Sequence, residues 1–66
     1  MEITLKLQQN NKINLTIKNG KEEIHATIWE DNNQLIFDSE LSELNGTIKS
    51  YSQLINNIKQ LQNFVA

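Results

Sequence analysis

Apolar side chains fall at every second position twice near the start of the chain: Ile3, Leu5 and Leu7, then Ile13, Leu15 and Ile17. The residues between them, Thr4, Lys6, Asn14, Thr16 and Lys18, are polar. A period of two with one polar face cannot wrap into a helix and describes half-buried strands. The polar run Gln8-Gln9-Asn10-Asn11-Lys12 reads as the loop joining them. Asn19-Gly20 follows, a pair that tolerates positive φ at both central positions of a tight type I′ hairpin. Such a turn predicts Lys18 opposite Lys21, Leu15 opposite Ile24 and Ile13 opposite Ala26, with Asn14 opposite His25. It turns Ile24, Ala26 and Ile28 inward, and His25, Thr27 and Trp29 outward with Thr16 and Lys18. A two-residue turn at Asn32-Asn33 then sets Glu30 against Leu35, Trp29 against Ile36 and Ile28 against Phe37. The apolar parity of all four strands agrees, which is what a specified register requires.

The period changes at the C-terminal end. Tyr51, Leu54, Ile55, Ile58, Leu61 and Val65 recur at steps of three and four, with Gln53, Asn56, Asn57, Lys59, Gln60 and Asn63 on the other side. That is an amphipathic helix. Ser50 and Gln53 have capping-box spacing and predict its start. Residues 39–49 read as an irregular connection with one helical turn that carries Leu41 and Leu44 inward; a fifth short strand turning at Asn45-Gly46 is the alternative. The expected fold class is therefore α+β, a four-stranded antiparallel β-meander with one C-terminal amphipathic helix packed on one face. The expected strands are 2–8, 12–18, 21–30 and 34–38, and the helix 50–64, all in a single domain of residues 1–66. The helix stripe needs an apolar partner, and Ile3, Leu5, Leu7, Leu15, Ile24, Ile28 and Phe37 are expected to supply it.

Composition narrows the function more by exclusion than by assignment. The chain has 66 residues and no cysteine, so a disulfide framework, a thiolate metal site and a cysteine nucleophile are excluded. The six basic residues are all lysine. A sequence-reading DNA binder without arginine lacks the side chain that grips guanine edges and phosphates bidentately. The only histidine is His25, and no serine stands close to it in the chain. No Gly-x-Ser-x-Gly elbow, phosphate-cradling glycine loop or His-Glu-x-x-His occurs, so no enzyme activity is expected. Asp31-Asn32-Asn33 opens like a calcium loop, but Ile36 stands where the turn needs glycine and Ser42 where it needs glutamate. No metal or other cofactor is expected. Met1-Glu2-Ile3-Thr4 lacks the layout of a signal peptide, and no apolar run approaches the ~18 residues of a membrane span. The expectation is a cytoplasmic protein without a membrane partner.

Charge is unevenly distributed. Residues 1–21 carry +3, residues 22–43 carry −7 and residues 44–66 carry +2, giving a net −2. The middle third therefore offers an acidic surface to a basic partner. Trp29 and Ile36 lie beside each other on the outer face with no core position in a two-layer fold. Three readings follow. Residues 39–47 cover Trp29; or Trp29 and Ile36 anchor a protein contact with Glu23, Glu30, Asp31 and Asp38 around them; or Trp29 stacks an unpaired base or nucleotide with Lys6, Lys18 and His25 nearby. Four antiparallel strands at 3–37 followed by a helix at 51–64 resemble, in topology, the single-stranded-DNA-binding domain of a transcriptional coactivator and its bacterial relatives. No motif accompanies that resemblance, and those domains carry a more basic binding face. The expected function is a small, non-enzymatic, acidic interaction module that binds and blocks or modulates a larger protein. Size and low-GC composition associate it with the inhibitors that phage and mobile elements direct at host defence proteins. Single-stranded nucleic acid or nucleotide binding around Trp29 is the alternative, and pairing of an edge strand with its twin in a homodimer is open.

Overall fold

A computed structural model describes residues 1–66. Five strands run in sequence order across one antiparallel sheet: β1 (Glu2–Leu7), β2 (Ile13–Asn19), β3 (Glu22–Asp31), β4 (Gln34–Ser39) and β5 (Gly46–Ile48). A 3-10 turn, Ser42–Leu44, sits between β4 and β5, and a helix α1 (Tyr51–Phe64) ends the fold. The α+β class, the antiparallel sheet and the C-terminal helix match the sequence reading. The strand count does not: the connection holds both the helical turn and a fifth strand.

The fifth strand forms because Asn45 closes a return of the chain on itself. Its side-chain oxygen accepts from the Ser39 backbone N–H at 2.6 Å, and its amide donates to the Ser39 carbonyl and to the Asp38 carboxylate, each at 3.0 Å. Gly46 follows with a φ of +136°, a conformation that side-chain-bearing residues rarely adopt. Gly46, Thr47 and Ile48 then pair with Phe37, Ile36 and Leu35.

The β3–β4 turn forms as expected. Asn32 and Asn33 both have positive φ, 51° and 62°, and Trp29 pairs with Ile36. The β2–β3 turn differs. Its central residues are Gly20 and Lys21, closed by Asn19 opposite Glu22, so Ile17 pairs with Ile24, Leu15 with Ala26 and Ile13 with Ile28. Only the first central residue, Gly20, has positive φ, the requirement of a type II′ turn rather than type I′. The expected pairs of Leu15 with Ile24, Ile13 with Ala26 and Asn14 with His25 are thus displaced by two residues. An even displacement keeps every side chain on its expected face. The gain is that two full-sized buried side chains, Ile17 and Ile24, face each other where the expected turn would have put Ile17 against Glu22.

The core is Leu15, Ile17, Ile24, Ala26, Ile28, Phe37, Ile48, Leu61 and Val65, with Leu35, Leu41, Leu44, Leu54 and Ile58 packed around it. Ser50 caps α1 by accepting from the Gln53 N–H at 3.1 Å. The Gln53 side chain reaches back to the Lys49 N–H at 2.8 Å and to the Thr47 carbonyl, which ties the helix start to β5. At the far end the Asn19 amide donates to the Val65 carbonyl at 2.9 Å. Buried Asn57 donates to the Leu44 carbonyl, holding the 3-10 turn against the helix. Three expectations about the core fail, the first being Asn57, expected on the polar side of the helix but buried where its amide reaches the Leu44 carbonyl. Ile3, Leu5 and Leu7 of β1 share the inner parity but are 49 %, 66 % and 69 % exposed, because the helix does not extend over β1. Tyr51, at the first turn of the helix, is exposed too.

Phe37→Ala removes a fully buried ring and should cost about 3–5 kcal/mol, enough to unfold most of a chain this small. Tyr51→Ala should stay within about 0.5 kcal/mol. Losing the Ser50 cap in Ser50→Ala should cost about 1 kcal/mol. Urea denaturation followed by circular dichroism ranks the three.

Candidate functional site

The helix and the 3-10 turn both pack on the inner side of the sheet, since Leu41 and Leu44 join the core there. Residues 39–47 therefore do not fold over Trp29, and the outer face is left without a covering element. Alternation along the paired strands places Lys6, Lys18, Glu23, His25, Thr27, Trp29, Asp31, Ile36 and Asp38 on this face. Of the residues expected to contact a partner, Trp29, Ile36, Asp31, Asp38 and Glu23 share it. Glu30 does not: it has the parity of Ile28 and lies opposite Leu35, exposed at the sheet's end on the helix side. Lys6, Lys18 and His25, the alternative nucleic-acid set, lie on the same face as Trp29 but spread across three strands.

Trp29 and Ile36 are both half-buried and stand directly opposite each other in the β3–β4 ladder. On the β2 side the Lys12 ammonium sits over the indole, 4.5 Å from the ring centroid. A cation at that distance from a ring at the protein surface is worth on the order of 1 kcal/mol. Lys12 escaped the sequence reading because it falls in the polar loop. The displaced β2–β3 register brings it level with Trp29, where the expected one would have put Asn10. The loop holds Lys12 in place: the Gln8 N–H donates to the Lys12 carbonyl at 2.8 Å, the Lys12 N–H donates to the Asn10 side chain, and Asn11 takes a φ of +62°. One face of the indole thus lies under an ammonium, and a flat base would have to displace Lys12 to stack on that face.

The second cluster surrounds His25. Its Nε2 lies 3.3 Å from Glu23 and its Nδ1 2.9 Å from Glu40. The same Glu40 oxygen accepts from the His25 backbone N–H at 2.8 Å. Glu40 stands just past the end of β4, where the ladder that would have satisfied that N–H stops at Ala26 opposite Ser39. The backbone hydrogen bond from His25, then that from its side chain, holds the Glu40 carboxyl below its usual value. The two carboxylates occupy opposite ring nitrogens, so the three groups do not converge on a common point, and no group of three or more acidic or imidazole side chains is placed to hold a metal ion. A depression lined by Tyr51, Ser52, Ile55, Asn56 and Lys59 lies on the helix, with the sheet between it and Trp29.

The meander converts the linear charge blocks into a divided face. β1, β2 and the loop between them bring Lys6, Lys18 and Lys12, while β3 and β4 bring Glu23, Asp31 and Asp38, with Glu40 just beyond. Trp29 stands at the seam. No family model matches the chain, and no curated protein or solved structure matches it. No helix is long and apolar enough to cross a membrane.

Two measurements follow. Lys12→Ala should uncover the indole and raise the acrylamide quenching of Trp29 fluorescence while changing stability by less than about 1 kcal/mol. A carboxyl with a lowered folded pKa stabilises the fold above its unfolded value, and that contribution disappears as pH falls through the folded value. The melting temperature of the native protein should therefore exceed that of Glu40→Gln at pH 7 and converge toward it on acidification below about pH 4.5, the ordinary glutamate value. A difference that stays constant across that window would remove the role assigned to Glu40.

Proposed function

We propose that this chain is a non-enzymatic binding module that docks the outer face of its sheet onto a larger protein and blocks or modulates it. The observation that carries the reading is the Trp29–Ile36 pair on a sheet face that no element of the fold covers. Tryptophan is among the commonest hot-spot residues at protein contacts, and an apolar pair with a charged border is the usual anatomy of one. Asp31 and Asp38, on the same face as that pair, and Glu23 farther along it, select a partner with a basic surface. Glu30 adds to the field at the sheet's end from the opposite face to the Trp29–Ile36 pair. Inhibition of a nucleic-acid-binding protein at its basic surface is the concrete form of this activity, the kind that mobile elements direct at host defences.

The nucleic-acid reading is weaker on this face. Lys12 already occupies one side of the only indole, and the acidic half-face repels phosphate. Stacking would also have to displace the lysine whose charge it needs.

Immobilised wild-type protein and a Trp29→Ala variant, compared against a lysate of the cell in which the protein acts, test the reading. A protein captured by wild type, resistant to nuclease treatment and bound at least ~30-fold more weakly by Trp29→Ala is expected, since a hot spot is worth about 2 kcal/mol or more. Equal capture by a folded Trp29→Ala variant removes the anchor. Capture that nuclease abolishes transfers the function to nucleic acid, and Lys6 and Lys18 would then matter where the carboxylates would not.

A further inference from the structure

β1 departs from the rest of the sheet in two ways. It is a free edge of six residues whose outward backbone groups pair with nothing in the chain, and its inner-face side chains Ile3, Leu5 and Leu7 are each about half exposed or more. Apolar sheet positions of the same parity in β2 to β5 include Leu15, Ile17, Ile24, Phe37 and Ile48, all 9 % exposed or less, and only Ile13, beside Leu7 of β1, is exposed among them, at 37 %. The other edge, β5, is only three residues long. Exposed edges are ordinarily blunted by shortness, proline, a bulge, an inward-facing charge or lysines along the strand. β5 has the first of these. β1 contains no proline, pairs with β2 without interruption and carries both its charges on the outer face; its single lysine, Lys6, is matched by Glu2 on the same strand and so does not oppose every partner.

The order of those charges selects an occupant. On the outer face β1 reads Glu2, Thr4, Lys6. The pattern is opposite in sign about Thr4, so it is complementary to itself when reversed. We infer that β1 pairs antiparallel with β1 of a second copy about a two-fold axis through Thr4. Glu2 then faces Lys6 of the second copy, and Lys6 faces its Glu2. On the inner face Ile3 lies against Leu5 of the other copy and Met1 against Leu7, merging two apolar rows into one.

Competing registers are worse on simple grounds. Sliding by one residue sets apolar side chains against the polar face. Sliding by two sets Glu2 or Lys6 against Thr4 and loses both direct ion pairs. Sliding by four sets Glu2 against Glu2 or Lys6 against Lys6. Direct cross-strand pairs of opposite charge favour a sheet and like pairs oppose it, so the charges discriminate among registers that the apolar row alone would accept. The two-fold operator makes the contact isologous, so two copies close on each other and no filament grows. Trp29 lies two strands away on β3, and pairing along β1 leaves its face free.

Sedimentation of the full chain tests this through charge. Wild type at about 1 mM should sediment as a dimer of about 15 kDa, twice the 7.6 kDa chain. Glu2→Lys and Lys6→Glu, each alone, place like charges opposite each other at both contacts and should sediment as monomers. Mixed in equal amounts they restore opposite charges at both contacts and should return to the dimer mass. Thr4→Cys, with its thiol on the axis, should cross-link two chains on mild oxidation, while Thr16→Cys, one strand inward, should not. Wild type that remains monomeric overturns the inference. So do single variants that stay dimeric, a mixture that stays monomeric, or cross-linking at Thr16 in preference to Thr4.

Discussion

The pairing of β2 with β3 is the constraint on which the remainder of this fold depends. Both strands are flanked by other strands, and together they contribute five of the nine buried core residues: Leu15, Ile17, Ile24, Ala26 and Ile28. Their register is set where Gly20 allows positive φ at the first turn position and Ile17 meets Ile24. Fixing that ladder fixes which side chains reach α1, which face carries Trp29, and which loop residue comes level with it. A shift of one residue would turn the core to solvent.

The faces of the sheet were legible in the sequence because burial acts on parity, and parity is visible as alternation. The register of β2 on β3 was not, because a displacement of two residues preserves parity and leaves no trace in the pattern. Asn19-Gly20 satisfies two turn types that differ by that displacement, and the choice is made by which side chains meet across the ladder. Lys12 was lost to view for the same reason: only the realised register puts it over Trp29. Asn32-Asn33 left no such freedom, since two asparagines flanked by Asp31 and Gln34 close in one way and carry Trp29 to Ile36. β5 was weakly written because three residues show barely one alternation. Its true signal was Asn45, whose side chain does the work of a backbone turn.

What the sequence could not show is how far one helix reaches. An α-helix with its side chains is about 10–12 Å across, and strands lie about 4.8 Å apart. One helix therefore covers two or three strands, and a five-stranded sheet needs more. Leu41 and Leu44 of the 3-10 segment join the core and extend that inner cover. Nothing in the chain serves β1. The alternation of Ile3, Leu5 and Leu7 is as regular as that of Ile13, Leu15 and Ile17, yet only Leu15 and Ile17 are buried, and Ile13 at the start of β2 is exposed like its β1 partner Leu7, because the inner layer ends there.

A meander also decides what an uneven sequence of charges becomes in space. Antiparallel neighbours in sequence order turn a block along the chain into a band across the sheet. The +3 of residues 1–21 and the −7 of residues 22–43 therefore stand side by side rather than mixing. The division gives the outer face a direction, with attraction for basic groups over β3 and β4 and for acidic groups over β1 and β2. At the seam Lys18 is the ladder partner of Glu23, and the Lys12 ammonium lies over the Trp29 ring. Away from the seam the acidic carboxylates have no lysine opposite them: Asp38 faces Thr27 and Asp31 faces Gln34. Those uncompensated charges are the ones a partner can use, because pairing them costs no existing ion pair.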